Sequence, residues 1–147
     1  MILRTSSTHK DFIALVAQLD AYLALCDGDD HAFYNQFNHI ENLQHVVLAY
    51  SNGQAVGCGA FKKFDQHSVE IKRMFVSNDG RRAGWASKIL AELENWSLEL
   101  GYQKTILETG AKQTEALLFY PQQGYTSIEN YGQYQGMDNS HCFEKKL

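Results

Sequence analysis

The sequence predicts an α/β (α+β) fold in which a mixed, mostly antiparallel central sheet of about six to seven strands is flanked by about four helices. Short apolar runs joined by turn residues occur over residues 45–77 and are typical of antiparallel hairpins. The middle of the chain alternates strand, helix and strand patterns, which predicts at least one parallel pair. The 147 residues show no repeat and no shift in composition, so we expect one domain over residues 1–147.

Periodicity and turn residues place the individual elements. Apolar residues over 9–26 and over 84–100 recur at helical spacing, which predicts two amphipathic helices. Asn52 and Gly53 form a hairpin turn signal because both residues tolerate positive φ. Pro121 is expected to end the helix before it. The predicted strands are 1–5, 45–50, 54–63, 68–77, 104–108, 125–128 and 140–145, and the predicted helices are 9–26, 31–40, 84–100 and 112–120.

Composition and charge exclude several classes of partner. The formal net charge is −4 and basic residues occur at most in adjacent pairs, which argues against a nucleic acid partner. No apolar run approaches the roughly 18 residues of a membrane-spanning helix, so we expect no membrane partner. The three cysteines are scattered, and no basic segment precedes an apolar N-terminal stretch. We therefore expect a cytoplasmic protein.

Two patterns that resemble metal sites fail on spacing. The acidic run from Asp27 to His31 does not match a calcium-binding loop, because the sixth position would be Ala32 and the twelfth Asn38. A turn with helix capping explains the run, and it can also attract a cationic amine. The six histidines form no HxxxH or HExxH pair. We therefore expect no metal.

The segment from Lys72 to Trp96 carries the most specific chemistry. A strand ends near Ser77, a turn with glycine and arginine follows, and a long helix starts near Gly84. The first N–H groups of a helix lack intrahelical partners and carry partial positive charge, so this turn can cradle an anion. An ordinary strand–loop–helix joint with solvated arginines would show the same short pattern.

The wider pattern resembles a known family. RRAGWA, from Arg81 to Ala86, resembles the Arg/Gln-x-x-Gly-x-Gly/Ala signature of the GNAT superfamily of N-acetyltransferases. QTEALLFY, residues 113–120, is similar to the later Asn-x-x-Ala-x-x-Leu/Phe-Tyr helix of the family, with Gln113 in place of the commoner Asn. The resemblance covers 70–125, and the ending NYGQYQGMDNSHCFEKKL is similar to one bacterial subgroup.

This resemblance implies the GNAT fold and transfer of an acetyl group from acetyl-CoA to a primary amine of a small molecule or peptide. The alternative is a non-catalytic acyl-CoA sensor of the same fold. GNAT-like proteins are often dimers, so the resemblance allows a homodimer. In the family, the loop and helix N-terminus hold the pyrophosphate and the later helix flanks the pantetheine arm. The implied contacts to acetyl-CoA are Met74, Phe75, Val76, Arg81, Arg82, Ala83, Gly84, Trp85, Ala86, Ser87, Gln113, Phe119 and Tyr120.

The resemblance also suggests catalytic residues. Tyr120 matches the family tyrosine that protonates the sulfur of coenzyme A; the alternative is a ring that only packs under its helix. Glu70 lies where some members place a general base that acts through water. It can instead be an exposed strand carboxylate or a partner for Lys72. Glu108, at the end of the parallel strand, is a second candidate base or a structural hydrogen-bonding residue.

The loop from Asn130 to Asn139 is rich in Tyr, Gly and Gln. Its aromatic residues Tyr131 and Tyr134 can close over an acceptor or cover the edge of the sheet. Cys58 and Cys142 lie in strand patterns, so we expect both to pack as small hydrophobic side chains.

Overall fold

A computed structural model describes residues 1–28, 43–78 and 83–147 of the chain. The elements are β1 Ile2–Thr5, α1 Lys10–Asp27, β2 His45–Ser51, β3 Gln54–Lys63, β4 Ser68–Val76, α2 Trp85–Glu99, β5 Lys104–Gly110, α3 Thr114–Gln122, β6 Thr126–Ile128, a 3₁₀ turn Gly132–Tyr134 and β7 Ser140–Lys146. The strands form one sheet in the order β1-β2-β3-β4-β5-β7-β6. All neighbouring pairs are antiparallel except β4 and β5, which run parallel. The mixed, mostly antiparallel sheet is therefore confirmed.

Three α-helices occur in the described residues, against the expected four. The predicted helix over 31–40 lies outside the residues that the structure describes. None of the helices in the described ranges is long and apolar enough to cross a membrane.

The prediction that a helix runs from Lys112 and ends before Pro121 is wrong at both ends. The chain first makes a turn in which the Gln113 N–H bonds to the Gly110 carbonyl oxygen, and α3 begins at Thr114. Pro121 lies inside the last turn of α3. A proline costs one backbone hydrogen bond there. The helix ends at Gln122, and the turn at Gly124, with φ of 93°, supplies hydrogen bonds to the last carbonyl oxygens of the helix.

The hairpin between β2 and β3 forms as predicted. Asn52 and Gly53 have φ values of 52° and 79°, the left-handed conformations that a two-residue hairpin turn requires. The next strand, β4, returns along β3, so β2, β3 and β4 form a continuous antiparallel meander.

The sheet is covered on both faces. Helix α1 packs on one face through Phe12, Leu15 and Val16, against the residues of β2 and β3 that point toward it. Helix α2 packs on the other face, and it lies close to β3 because Gly57 and Gly59 have no side chains. A Cβ atom at Gly59 would lie 2.8 Å from Leu93 Cδ1 of α2. This close packing fixes α2 relative to β4, which lies beside β3.

Candidate active site

The parallel strands β4 and β5 pair over only three residues. Their pairing begins at Ser68 and Lys104 and ends at Glu70 and Ile106, and no further pairs form toward the end of β4. Strand β4 also bulges. Between the pair Ala60–Lys72 and the pair Cys58–Phe75, β4 advances three residues while β3 advances two. The sheet therefore opens between β4 and β5 beyond Glu70.

The bulge is held by Arg73. This residue has a φ of 60°, which is uncommon for a side chain with a Cβ atom. Its side chain is buried, and its Nη1 atom donates to Asp20 Oδ1 of α1 across 2.9 Å. The Cys58 thiol donates to the Arg73 carbonyl oxygen across 3.3 Å. The distorted end of β4 is therefore anchored to α1 and to β3.

A cavity of about 120 Å³ lies where the two strands separate. Its walls come from four parts of the fold, which are the bulged half of β4, the end of β5, one face of α3 and the apolar face of α1. Tyr134 of the loop after β6 completes it. The lining residues are Leu19, Leu23, Glu70, Ile71, Lys72, Arg73, Met74, Glu108, Thr109, Gly110, Gln113, Ala116, Tyr120 and Tyr134.

Two carboxylates and a lysine line this cavity from neighbouring strands. Glu70 is 3% exposed and Lys72 is 8% exposed. Burial lowers the pKa of Lys72, although the carboxylates of Glu70 and Glu108 oppose that shift. The interpretation of Glu70 as an exposed strand carboxylate is therefore wrong, because the open end of the sheet is covered by α1 and the loop after β6.

Tyr120 reaches the cavity from the last turns of α3. It is 7% exposed, and its ring contacts Phe119, Tyr125 and Phe143 with centroids 5.1 to 6.0 Å apart. Burial raises the pKa of its hydroxyl above the ordinary value of 10.0, so the phenol stays protonated at neutral pH. The residue thus packs in the core and also presents a protonated group at the cavity.

The N-terminus of α2 has the features of an anion cradle. Gly84 is the N-cap, with a φ of 77°, and no side chain of the described residues caps the helix. The first turn contains no acidic residue, and a Cβ atom at Gly84 would meet no described atom within 4 Å. The Lys88 amine lies 4.6 Å from the centre of the Trp85 ring. The backbone N–H groups of the first turn of α2, together with the nearby Lys88 amine, suit a phosphate group.

The structure divides the predicted site residues into two groups. The cavity brings together Glu70, Met74, Gln113 and Tyr120, with Glu108 beside them. The second group runs from the last residues of β4 to the first turn of α2. It comprises Phe75, Val76, Ala83, Gly84, Trp85, Ala86 and Ser87. Phe119 contacts the Tyr120 ring and does not line the cavity. Arg81 and Arg82 lie outside the described residues.

Sequence reasoning missed several residues that shape the cavity. Leu19 and Leu23 were predicted only as part of an apolar helix face, and their place opposite β4 depends on the packing of α1. Thr109 was not singled out; its hydroxyl is buried and makes no hydrogen bond within the described residues. Arg73 carried no signal, since a lone arginine in a strand does not predict a bulge. Among the described residues no group of three His, Cys, Asp or Glu side chains is placed to hold a metal ion.

Comparison with known proteins identifies the family. The profile described as the acetyltransferase (GNAT) family matches residues 14–125. The chain belongs to the GNAT family of acetyltransferases. An IAA acetyltransferase from Azospirillum brasilense is 29% identical over 153 residues, which cover 99% of this chain and 95% of that protein. The family and the acyltransferase class predicted from the sequence are therefore confirmed.

Solved structures show the GNAT fold over the whole chain. A protein from Klebsiella pneumoniae described as an acyl-CoA N-acyltransferase superposes with a TM-score of 0.83 and 30% identity, covering 100% of this chain and 97% of that one. A GNAT acetyltransferase from Elizabethkingia anophelis with acetyl-CoA bound has a TM-score of 0.71 at 16% identity, with 100% and 97% coverage. These likenesses confirm the predicted fold.

Proposed function

We propose that this GNAT protein transfers the acetyl group of acetyl-CoA directly to a primary amine of a small molecule or peptide. The observation that carries the proposal is the cavity between β4 and β5. It places the protonated phenol of Tyr120 and the buried carboxylate of Glu70 in one space. Acetyl transfer to an amine needs both a proton donor for the departing thiolate and a group that removes the proton of the amine.

The residues present fit acetyl-CoA, which supplies the activated acetyl thioester. In this proposal the first turn of α2 binds the pyrophosphate, with Arg81 and Arg82 adding positive charge and Gly84 allowing close approach. The opening between β4 and β5 takes the pantetheine arm. Gln113, which lines the cavity at the start of α3, provides a polar contact to it.

The chemical step then follows from the positions of the two groups. Glu70, directly or through a water molecule, accepts a proton from the amine as its nitrogen bonds to the thioester carbon. The C–S bond breaks, and Tyr120 donates its proton to the sulfur. The proton accepted by Glu70 then returns to Tyr120 through water, so that both groups regain their starting states. Glu108 lines the same cavity and is the second candidate for the base. Each such proton transfer contributes about 10²–10⁴ to the rate.

The choice of acceptors rests on the cavity and on the name of the Azospirillum brasilense relative. We expect amines to be the productive class, because the cavity contains two carboxylates that can orient and deprotonate an amine. IAA itself belongs in the panel as a separate arm, since that relative is named for it.

The test is release of the coenzyme A thiol from acetyl-CoA in the presence of amino acids, polyamines, aminoglycosides, peptides and IAA. We expect thiol release to depend on a primary amine and to match the N-acetylated product one for one. Each amine should be run beside its fully N-acetylated form, which has no free primary amine. Tight binding of acetyl-CoA without transfer to any acceptor would instead support a non-catalytic acyl-CoA sensor.

A further inference from the structure

A hydrogen bond from the loop between β6 and β7 fixes the carboxylate of Glu70. The hydroxyl of Tyr131 donates to Glu70 Oε2 across 2.7 Å. Hydrogen bonds to a charged oxygen are shorter and stronger than neutral ones, and this oxygen is shielded from solvent. The other carboxylate oxygen, Oε1, lies 3.9 Å from the Nζ atom of Lys62, whose side chain is 50% exposed. Tyr131 therefore provides a short contact to this carboxylate.

The position of Tyr131 is set by packing. Its ring makes edge-to-face contacts with Phe64, at 5.2 Å between centroids, and with Tyr134, at 5.8 Å. The loop also closes on itself, because the Asn130 side-chain amide donates to the Met137 carbonyl oxygen across 2.8 Å. A second internal bond joins the Tyr134 N–H to the Tyr131 carbonyl oxygen across 2.9 Å. These contacts hold the Tyr131 phenol in place beside Glu70.

The charges around this contact keep Tyr131 a donor. Burial, and after it the Glu70 carboxylate, raises the pKa of the Tyr131 hydroxyl. Lys62 faces Glu70 from β3, Lys72 is its neighbour along β4, and Glu108 lies on β5 across the cavity. The phenol is therefore protonated at neutral pH.

We propose that Tyr131 is a positioning residue for acetyl transfer, which acts by holding Glu70 in one orientation through its Oε2 atom. The Oε1 atom then faces the acceptor and takes the proton of the amine. This inference rests on the proposed function, since it gives Glu70 the role of base. Tyr131 itself does not line the cavity.

A double-mutant cycle tests this role. Tyr131→Phe keeps the ring and its edge-to-face contacts and removes only the donor, so we expect kcat to fall about tenfold. Glu70→Gln should lower kcat by about 10²–10⁴. In the double variant Tyr131→Phe should add no further loss, because a residue that acts through Glu70 has nothing left to position. The thermal shift caused by acetyl-CoA should be the same in all four proteins.

Tyr50→Phe is the matched control. The Tyr50 hydroxyl donates to Asp11 Oδ2 across 2.6 Å, so the substitution breaks a hydrogen bond of the same chemical kind, and neither residue lines the cavity. We expect it to lower the melting temperature and to leave kcat unchanged.

The outcomes separate this inference from the proposed function. Losses that multiply in the double variant, or an unchanged kcat in Tyr131→Phe, would overturn the positioning role while acetyl transfer by the parent protein stands. A parent protein that acetylates no amine would remove both.

Discussion

Replacing Tyr120 by phenylalanine is expected to lower kcat by about 10²–10⁴ and to leave the affinity for acetyl-CoA nearly unchanged. The phenol lines the cavity and stays protonated because burial raises its pKa, so it can donate a proton as the C–S bond breaks. Phenylalanine keeps the contacts of the ring with Phe119, Tyr125 and Phe143 and deletes only the donor. Steady-state kinetics on a productive amine and a melting curve measure the two effects separately.

Tyr125→Phe is the control for Tyr120, because the two rings are in contact and only one of them lines the cavity. The Tyr125 hydroxyl bonds to Glu94 Oε2 at 2.8 Å and to Thr105 Oγ1 at 2.7 Å, so it holds α2 to β5. Its loss should cost about 1 kcal/mol of stability and leave kcat unchanged. Full activity in Tyr120→Phe would show that water delivers the proton.

The second large effect is expected at the cradle. Gly84→Glu should abolish acetyl-CoA binding, because it places bulk and negative charge at the open N-terminus of α2, where the pyrophosphate is proposed to bind. A Cβ atom at this position would meet no atom of the described residues within 4 Å, so the new side chain does not clash with the part of the core that the structure describes. Isothermal titration calorimetry with acetyl-CoA measures the loss.

Two controls separate charge at the cradle from backbone strain. Gly84→Ala carries the same unfavourable φ of 77° and no charge, so we expect a loss of about 1–2 kcal/mol of stability with binding retained. Gly101→Glu introduces the same charge at a glycine with φ of 96° at the opposite end of α2, where a Cβ atom also has open space. Equal weakening by Gly84→Glu and Gly101→Glu would refute the location of the cradle.

Much of the fold could be predicted because it depends on local patterns. The stripe of α2 is one example: Ile89, Leu90 and Leu93 are buried as their spacing predicts. Leu100 lies within the predicted helix 84–100 but is 49% exposed, because the helix ends at Glu99 and Gly101 turns the chain away.

Only those site residues that lie together in one short segment of the sequence could be predicted. The turn before α2 and the start of α3 each lie within a short stretch of sequence, so residues such as Gly84 and Gln113 were found. The contact between Tyr131 and Glu70 joins residues 61 positions apart, and no local pattern predicts which strand a distant loop will cover. The bulge at Arg73 was equally hidden, because it depends on the pairing of β3 with β4 and on Asp20 of α1.

Binding of acetyl-CoA to the parent protein tests the central claim most directly. Calorimetry should give a saturable heat, and acetyl-CoA should raise the melting temperature, because a ligand that binds only the folded state stabilises it. At about a hundredfold excess over its Kd the gain in the free energy of unfolding should be about 2.7 kcal/mol. No heat and no thermal shift at millimolar acetyl-CoA would contradict the assignment of the α2 N-terminus and the opening between β4 and β5 as the acetyl-CoA site.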